Sequence, residues 1–219
     1  MKKLITEEII LNLYKSGKTV LVVTGDEIFT PSALDKIREL NFTLEKESTD
    51  AKTSSNKNGI KNSSEIKKIG IGCDHTGFAV KKEIIKFLSE KGFEVIDYGT
   101  YDEQSCDYPD FALTVAKNVV LNEVDAGILL DATGIPSAIT ANKLPGVRAA
   151  TCYNEFSAKS SREHNNANIL VLGARTLGIE TIKSVINVWL STDFLGGRHQ
   201  RRLDKIRTIE IQILKNRKE

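Results

Sequence analysis

The stretch GILLDATGIPSAITANK, residues 127–143, opens as an apolar run and then breaks into small and polar residues. Residues 125–131, DAGILLD, read as a buried strand, a short apolar run bounded by turn signals. The small and polar residues after it read as a binding loop. Two residues trouble that reading. Asp131 stands where apolar surroundings are expected, and Pro136 has no backbone N–H for a loop that cradles an anion. The loop is open to three readings: an active site, a rewired one or a retired one.

Working outward, the same strand–loop–helix rhythm recurs. KIGIGC (68–73), FEVIDYG (93–99), VRAATC (147–152) and NILVLG (168–173) read as further strands. Helical patterns are expected over 78–91, 109–122, 154–163 and 178–191. Near-continuous apolar strands alternating with amphipathic helices predict a five-stranded parallel sheet covered on both faces. Ligands of such sheets sit at the carboxyl ends of the strands. That rule selects four loops: CDHTG, GTYDEQSCDYP, DATGIPS and GARTLG. The final GGRHQRRLDKIRTIEIQILKNRKE reads as a basic helix with apolar positions Leu203, Ile206, Ile209 and Ile213.

Upstream, residues 47–66 are poor in large apolar residues and rich in Ser, Asn, Lys and Thr, a composition expected of a flexible linker. It divides the chain into a small α/β module, residues 1–46, and a larger domain, residues 67–219. In the module, TEEIILNLYKSG reads as a helix with Thr6 as cap, TVLVVT (19–24) as a strand, and TPSALDKIREL as a helix with Thr30 at N-cap and Pro31 at N1. So thin a core is expected to dock on something.

Composition narrows the partners. The formal net charge is +2, too small to suggest nucleic acid. No apolar run approaches a membrane span, and Glu7 and Glu8 fall where the apolar core of an export signal would be, so neither is expected. Cys73, Cys106 and Cys152 form neither a disulfide framework nor a CxxC metal pair, which fits a reducing cytoplasm.

Taken alone, His75 follows a strand end and precedes Gly77, at a ligand edge or as a helix cap. His164 and Asn165 lie in a polar turn before the fifth strand and could be ordinary surface residues. Arg198 and Arg202, four apart, share one helix face suited to a phosphate or carboxylate, or to solvent. His75, His164 and His199 are the only histidines, and their spacing makes no metal site.

Together, KKIGIGCDHTGFAVKKEI, FEVIDYGTY, CDYPDFA, VDAGILLDATG, ANKLPGVRAATC, SAKSSREHNNANILVLGAR and GGRHQRR resemble the ribose-5-phosphate isomerase B / galactose-6-phosphate isomerase family, from residue 67 to about 212. The resemblance implies a Rossmann-like αβα sandwich, a homodimer or tetramer, no metal or organic cofactor, and aldose–ketose isomerisation of a sugar phosphate through an enediolate. By position it implies that Asp74 and His75 line the sugar site with Tyr108 beside it. His164 would assist ring opening, Asn165 would hold a hydroxyl, Arg198 and Arg202 would bind phosphate across a subunit interface, and Thr133 and Gly134 would serve the O1/O2 end.

The chain departs from that family in the opening stretch. The family's loop begins with a catalytic cysteine, where this chain has Asp131. A glycine of the loop is Pro136, and the position of an alternative glutamate base is Ser137. Asp131 could be the base in a dry site. The chain could be the degenerate partner of a cysteine-bearing sister subunit. Or the domain could bind a sugar phosphate without turning it over. The N-terminal KKLITEEII and IFTPSALDKIREL resemble the start of the ethanolamine-utilisation protein EutQ, which implies docking to a bacterial microcompartment shell protein or other partner.

Overall fold

The computed structural model describes residues 3–23, 27–46 and 63–216. The chain divides into two compact units, one within residues 1–57 and the other within 58–219.

In the first unit, β1 (Lys3–Ile5), α1 (Glu7–Lys15) and β2 (Val20–Val23) are followed by β3 (Glu27–Phe29), α2 (Pro31–Glu39) and β4 (Thr43–Lys46). Each half is strand–helix–strand, and the pairing runs between halves: β1 with β3 and β2 with β4, both parallel. Thr30 caps α2 through its hydroxyl, accepting from Ala33 N–H at 3.2 Å. Thr6 holds the same place before α1, but its side chain makes no such bond, contrary to expectation. The two helices and the strands close on Ile5, Ile10, Ala33, Ile37 and Phe42. Strands β1, β3 and β4 are not evident from sequence because three or four residues carry too little pattern.

The expected linker, 47–66, lies outside the described residues as far as 62. Residues 63–65 form a turn of 3₁₀ helix, and Ile66 is buried in the core of the second unit.

The second unit contains β5 (Lys68–Cys73), α3 (Phe78–Glu90), β6 (Glu94–Asp97), α4 (Tyr108–Val120), β7 (Ala126–Asp131), α5 (Ile135–Ala141), β8 (Ala149–Thr151), α6 (Glu155–Glu163), β9 (Ile169–Gly173), α7 (Ile179–Ser191) and α8 (Arg198–Asn216). The sheet is parallel throughout, in the order β6-β5-β7-β9-β8. Successive side chains point to opposite faces. Ile128 and Leu130 therefore join one core with Ile84, Leu88, Ile182 and Trp189, while Leu129 joins another with Val115, Val119 and Ala138. The result is a three-layer αβα sandwich. On the α4 face the strands carry glycine where the helix comes close: a Cβ at Gly72 or Gly127 would lie 2.9 or 2.8 Å from a Val115 methyl.

The loop expected after β7 is only three residues long. It turns directly into α5, which the periodicity did not disclose because seven residues make barely two turns. Pro136 sits in the first turn of that helix, where an N–H has no helical partner anyway. The terminal helix forms as expected, but with a single buried residue, His199.

Candidate active site

Two strand ends carry the same four-residue pattern, Asp-x-Thr-Gly: Asp74–Gly77 after β5 and Asp131–Gly134 at the end of β7. The two turns are built alike. Asp74 Oδ1 accepts from Thr76 N–H (2.9 Å), the Thr76 hydroxyl (2.6 Å) and Gly77 N–H (3.3 Å). Asp131 Oδ1 accepts from Thr133 N–H (2.9 Å), the Thr133 hydroxyl (3.4 Å) and Gly134 N–H (2.6 Å). An aspartate that bonds the backbone two and three residues on is a turn-former. Strands β5 and β7 are neighbours, and Asp74 N–H donates to Leu130 O (3.2 Å), so the turns lie side by side. From β5 the chain moves to β6 on one side and then back to β7 on the other. That reversal makes the crevice in which such sheets bind ligands.

Asp131 goes one step further than Asp74. Its Oδ2 accepts from Ser137 N–H (3.0 Å) and so ties the turn to the first turn of α5. The residue is 1% exposed. Gly134, with φ of +82°, fits under β8 and β9: a Cβ there would lie 2.9 Å from a Thr151 methyl and 3.0 Å from Leu172 C. The Asp131 carboxylate thus satisfies the N–H groups of Thr133, Gly134 and Ser137.

His75, half-buried, accepts at Nδ1 from Cys106 N–H (3.3 Å) in the loop after β6. That bond puts the proton of the neutral ring on Nε2, leaving a donor toward a ligand. The same loop is held by Lys81, which is 0% exposed. Lys81 Nζ pairs with Asp97 Oδ1, donates to Thr100 O (2.7 Å), and lies 5.3 Å from the centre of the Tyr101 ring. Sequence reading missed Lys81. The available signal was a lysine three residues before Ile84 on the apolar stripe of α3. Tyr108 opens α4 at the same edge, half-buried. Cys73 is buried, and burial pushes its thiol up to about 12, so it is neither nucleophile nor base near neutrality.

The remaining expected residues lie elsewhere. His164 ends α6 and Asn165 follows it, both before β9 and hence at the amino edge of the sheet. The His164 ring stacks on His199 of α8, centroids 4.3 Å apart and planes 7° from parallel. Arg198 Nε donates to His199 Nε2 (3.4 Å), which puts the start of α8 at that edge, with Arg202 exposed one turn on. Gly173 pairs with Asp131, and the five steps from Asn168 to Gly173 rise about 16 Å. Asp74, His75, Tyr108, Asp131, Thr133 and Gly134 therefore gather at one edge, and His164, Asn165, Arg198 and Arg202 at the other. Among the described residues, no group of three His, Cys, Asp or Glu is placed to hold a metal ion, and no helix is long and apolar enough to cross a membrane.

Residues 69–206 match the family model described as Ribose/Galactose Isomerase. The chain belongs to that family. Ribose-5-phosphate isomerase B of Escherichia coli K12 is 47% identical over 145 residues, 66% of this chain and 97% of the relative. The putative sugar phosphate isomerase YwlF of Bacillus subtilis is 45% identical over 144 residues, 65% of this chain and 97% of the relative. Among solved structures, ribose-5-phosphate isomerase B of Clostridium thermocellum superposes with a TM-score of 0.66 at 50% identity, covering 67% of this chain and 99% of that one. The Mycoplasma genitalium enzyme, solved with bound ribulose-5-phosphate, gives 0.63 at 43% identity, covering 65% and 95%. The sandwich is thus the Rossmann-like fold of the ribose/galactose isomerases.

Proposed function

We propose that the chain is an aldose–ketose isomerase of the ribose-5-phosphate type, working through an enediolate at a site completed by a second copy of itself. The observation that carries this is the division of the family's site residues between two edges of one sheet about 16 Å apart. One sugar phosphate meets both sets only if a partner brings its amino edge to this chain's carboxyl edge. In a two-fold dimer that happens twice. Apolar side chains left about half-exposed support self-association: Ile135 and Ile139 on α5, and Ile206, Ile209 and Ile213 on α8.

In this reading Arg198 and Arg202 bind the phosphate with guanidinium forks. His164 opens the sugar ring, and Asn165 holds a hydroxyl. Asp74 offers Oδ2, and His75 its Nε2–H, to the open chain, with Tyr108 beside them. Asp131 takes the C2 proton through the one Oδ2 lone pair not used by Ser137, and Thr133 and Gly134 serve O1 and O2. No cofactor is required.

The same geometry favours a second reading, a subunit that binds or assembles without turnover, because Asp131 already accepts three backbone N–H groups. A coupled assay separates the two, using the chain alone with ribose 5-phosphate, allose 6-phosphate and galactose 6-phosphate. Turnover that vanishes in Asp131→Asn, measured below that variant's melting temperature, supports Asp131 as base. A wild-type chain that binds a sugar phosphate and never turns it over is the second reading. Mixing inactive His75→Ala with inactive Arg198→Ala tests the composite site. Random re-pairing restores about a quarter of wild-type activity if the site spans two chains, and none if it does not.

The module of residues 1–46 is proposed to dock the isomerase on a shell protein of a cytoplasmic microcompartment or on another partner. Leu4 and Ile28, paired in register, are both about half-exposed and suit such a contact. Unchanged co-localisation after removal of residues 1–66 would end that idea.

A further inference from the structure

Helix α8 has nineteen residues and buries only one, an imidazole at its start. His199 is 4% exposed and lies flat on His164. A residue needed only for packing would be served better by leucine. The surroundings of His164 explain the choice. Ser160, one turn earlier on α6, meets His164 Nδ1 through its hydroxyl at 3.1 Å. A hydroxyl can donate or accept, so it holds that nitrogen in either tautomer. His199 covers one face of the ring. Leu195 N–H donates to Glu163 O (3.1 Å), clipping the chain before α8 to the end of α6. Edge and face are both fixed, and Nε2 is the atom left to work. At its own ring edge, His199 Nε2 accepts from Arg198 Nε.

We propose that His199 is a positioning residue for ring opening: stacked on His164 and bonded to Arg198, it aims His164 Nε2 at the sugar ring whose phosphate Arg198 holds. The proposal rests on the ring-opening role given to His164 above. In the step itself, Nε2 takes the proton from O1, C1=O1 forms as the C1–O4 bond breaks, and the same proton passes to O4. A loosely held ring would miss one of the two oxygens, and misplacement by about 1 Å is enough to cost about 100-fold.

The test separates ring opening from proton transfer. Ribose 5-phosphate arrives as a ring. Ribulose 5-phosphate, with its C5 oxygen phosphorylated, has none, so exchange of its C1 hydrogens with solvent deuterium passes through the enediolate and back without any ring step. His199→Ala in the full chain should lower kcat/KM for isomerisation of ribose 5-phosphate by about 10- to 100-fold. Deuterium exchange into ribulose 5-phosphate, followed by NMR, should stay within about two-fold of wild type. Ser160→Ala, which removes one half-buried hydroxyl, should give a smaller loss of isomerisation with exchange again spared, and serves if His199→Ala does not fold. Equal losses of isomerisation and exchange for both variants would reduce His199 and Ser160 to packing, and no loss in either would remove the role altogether. His164→Ala is the control. If it spares isomerisation of ribose 5-phosphate, the ring-opening assignment itself fails and this proposal falls with it.

Discussion

Replacing Asp131 by asparagine changes one oxygen for one nitrogen and tests the architecture of the β7 turn. In the native turn, Oδ1 accepts from Thr133 and Gly134 N–H, and Oδ2 accepts from Ser137 N–H. Asparagine can keep its oxygen on the first pair, but its NH₂ then faces the Ser137 N–H, donor against donor. Ser137 is 2% exposed, so its N–H has no water to turn to. An unmade bond at a buried donor costs about 1–3 kcal/mol. The two remaining bonds lose their charge assistance, which roughly halves them. The sum is about 2–4 kcal/mol, and at about 2–4 °C per kcal/mol for a unit of this size Tm should fall by about 5–15 °C. Trp189 is the chain's only tryptophan, fully buried in the larger unit, so its fluorescence reports that unit alone during melting. A Tm within about 1 °C of wild type would mean that the carboxylate is not engaged as described, and the account of the β7 turn would be wrong.

Other outcomes follow from the same structure. Lys81→Met removes a fully buried ammonium from Asp97 and Thr100 O. Because Asp97 is one-third open to solvent, the loss should be about 2–3 kcal/mol rather than the full cost of a stranded charge, read as a lower urea midpoint. Gly134→Ala combines a φ of +82° with a Cβ 3.0 Å from the Leu172 backbone. It should cost about 1–3 kcal/mol by the same melting assay. With Cys73 at 1% exposure and its thiol near 12, iodoacetamide at pH 8 should label half-buried Cys106 and leave Cys73 unlabelled in the native protein, which peptide mapping will resolve. Ile206→Glu with Ile213→Glu should leave the sandwich folded and turn a dimer into monomers, as measured by sedimentation.

The sheet is legible in the sequence because a strand buried on both faces has to be apolar along its whole length. KIGIGC and NILVLG end within a residue of β5 and β9. VRAATC reads longer than β8, because an edge strand such as β8 is paired on one side only and stops after three residues. The site residues are legible one by one, but their grouping is not. Nothing in the spacing of His75 and His164 says that they face opposite edges of one sheet, which depends on whether a residue follows a strand or precedes one. The turn-forming role of Asp131 was within reach, since Asp-His-Thr-Gly and Asp-Ala-Thr-Gly announce the same turn twice. His199 was harder. Its meaning comes from a ring 35 positions away in the chain, and only folding brings the two face to face.

The pairing in the first unit bears on how that unit comes into being. Among the described residues, each strand pair joins one strand–helix–strand half to the other, β1 to β3 and β2 to β4, and no strand pairs within its own half. A half-made module is a pair of open strands. Expressed as two separate pieces divided between β2 and β3, it should behave as a split tag, inert apart and assembling when brought together. Its strand pairing is complete only when both halves are present.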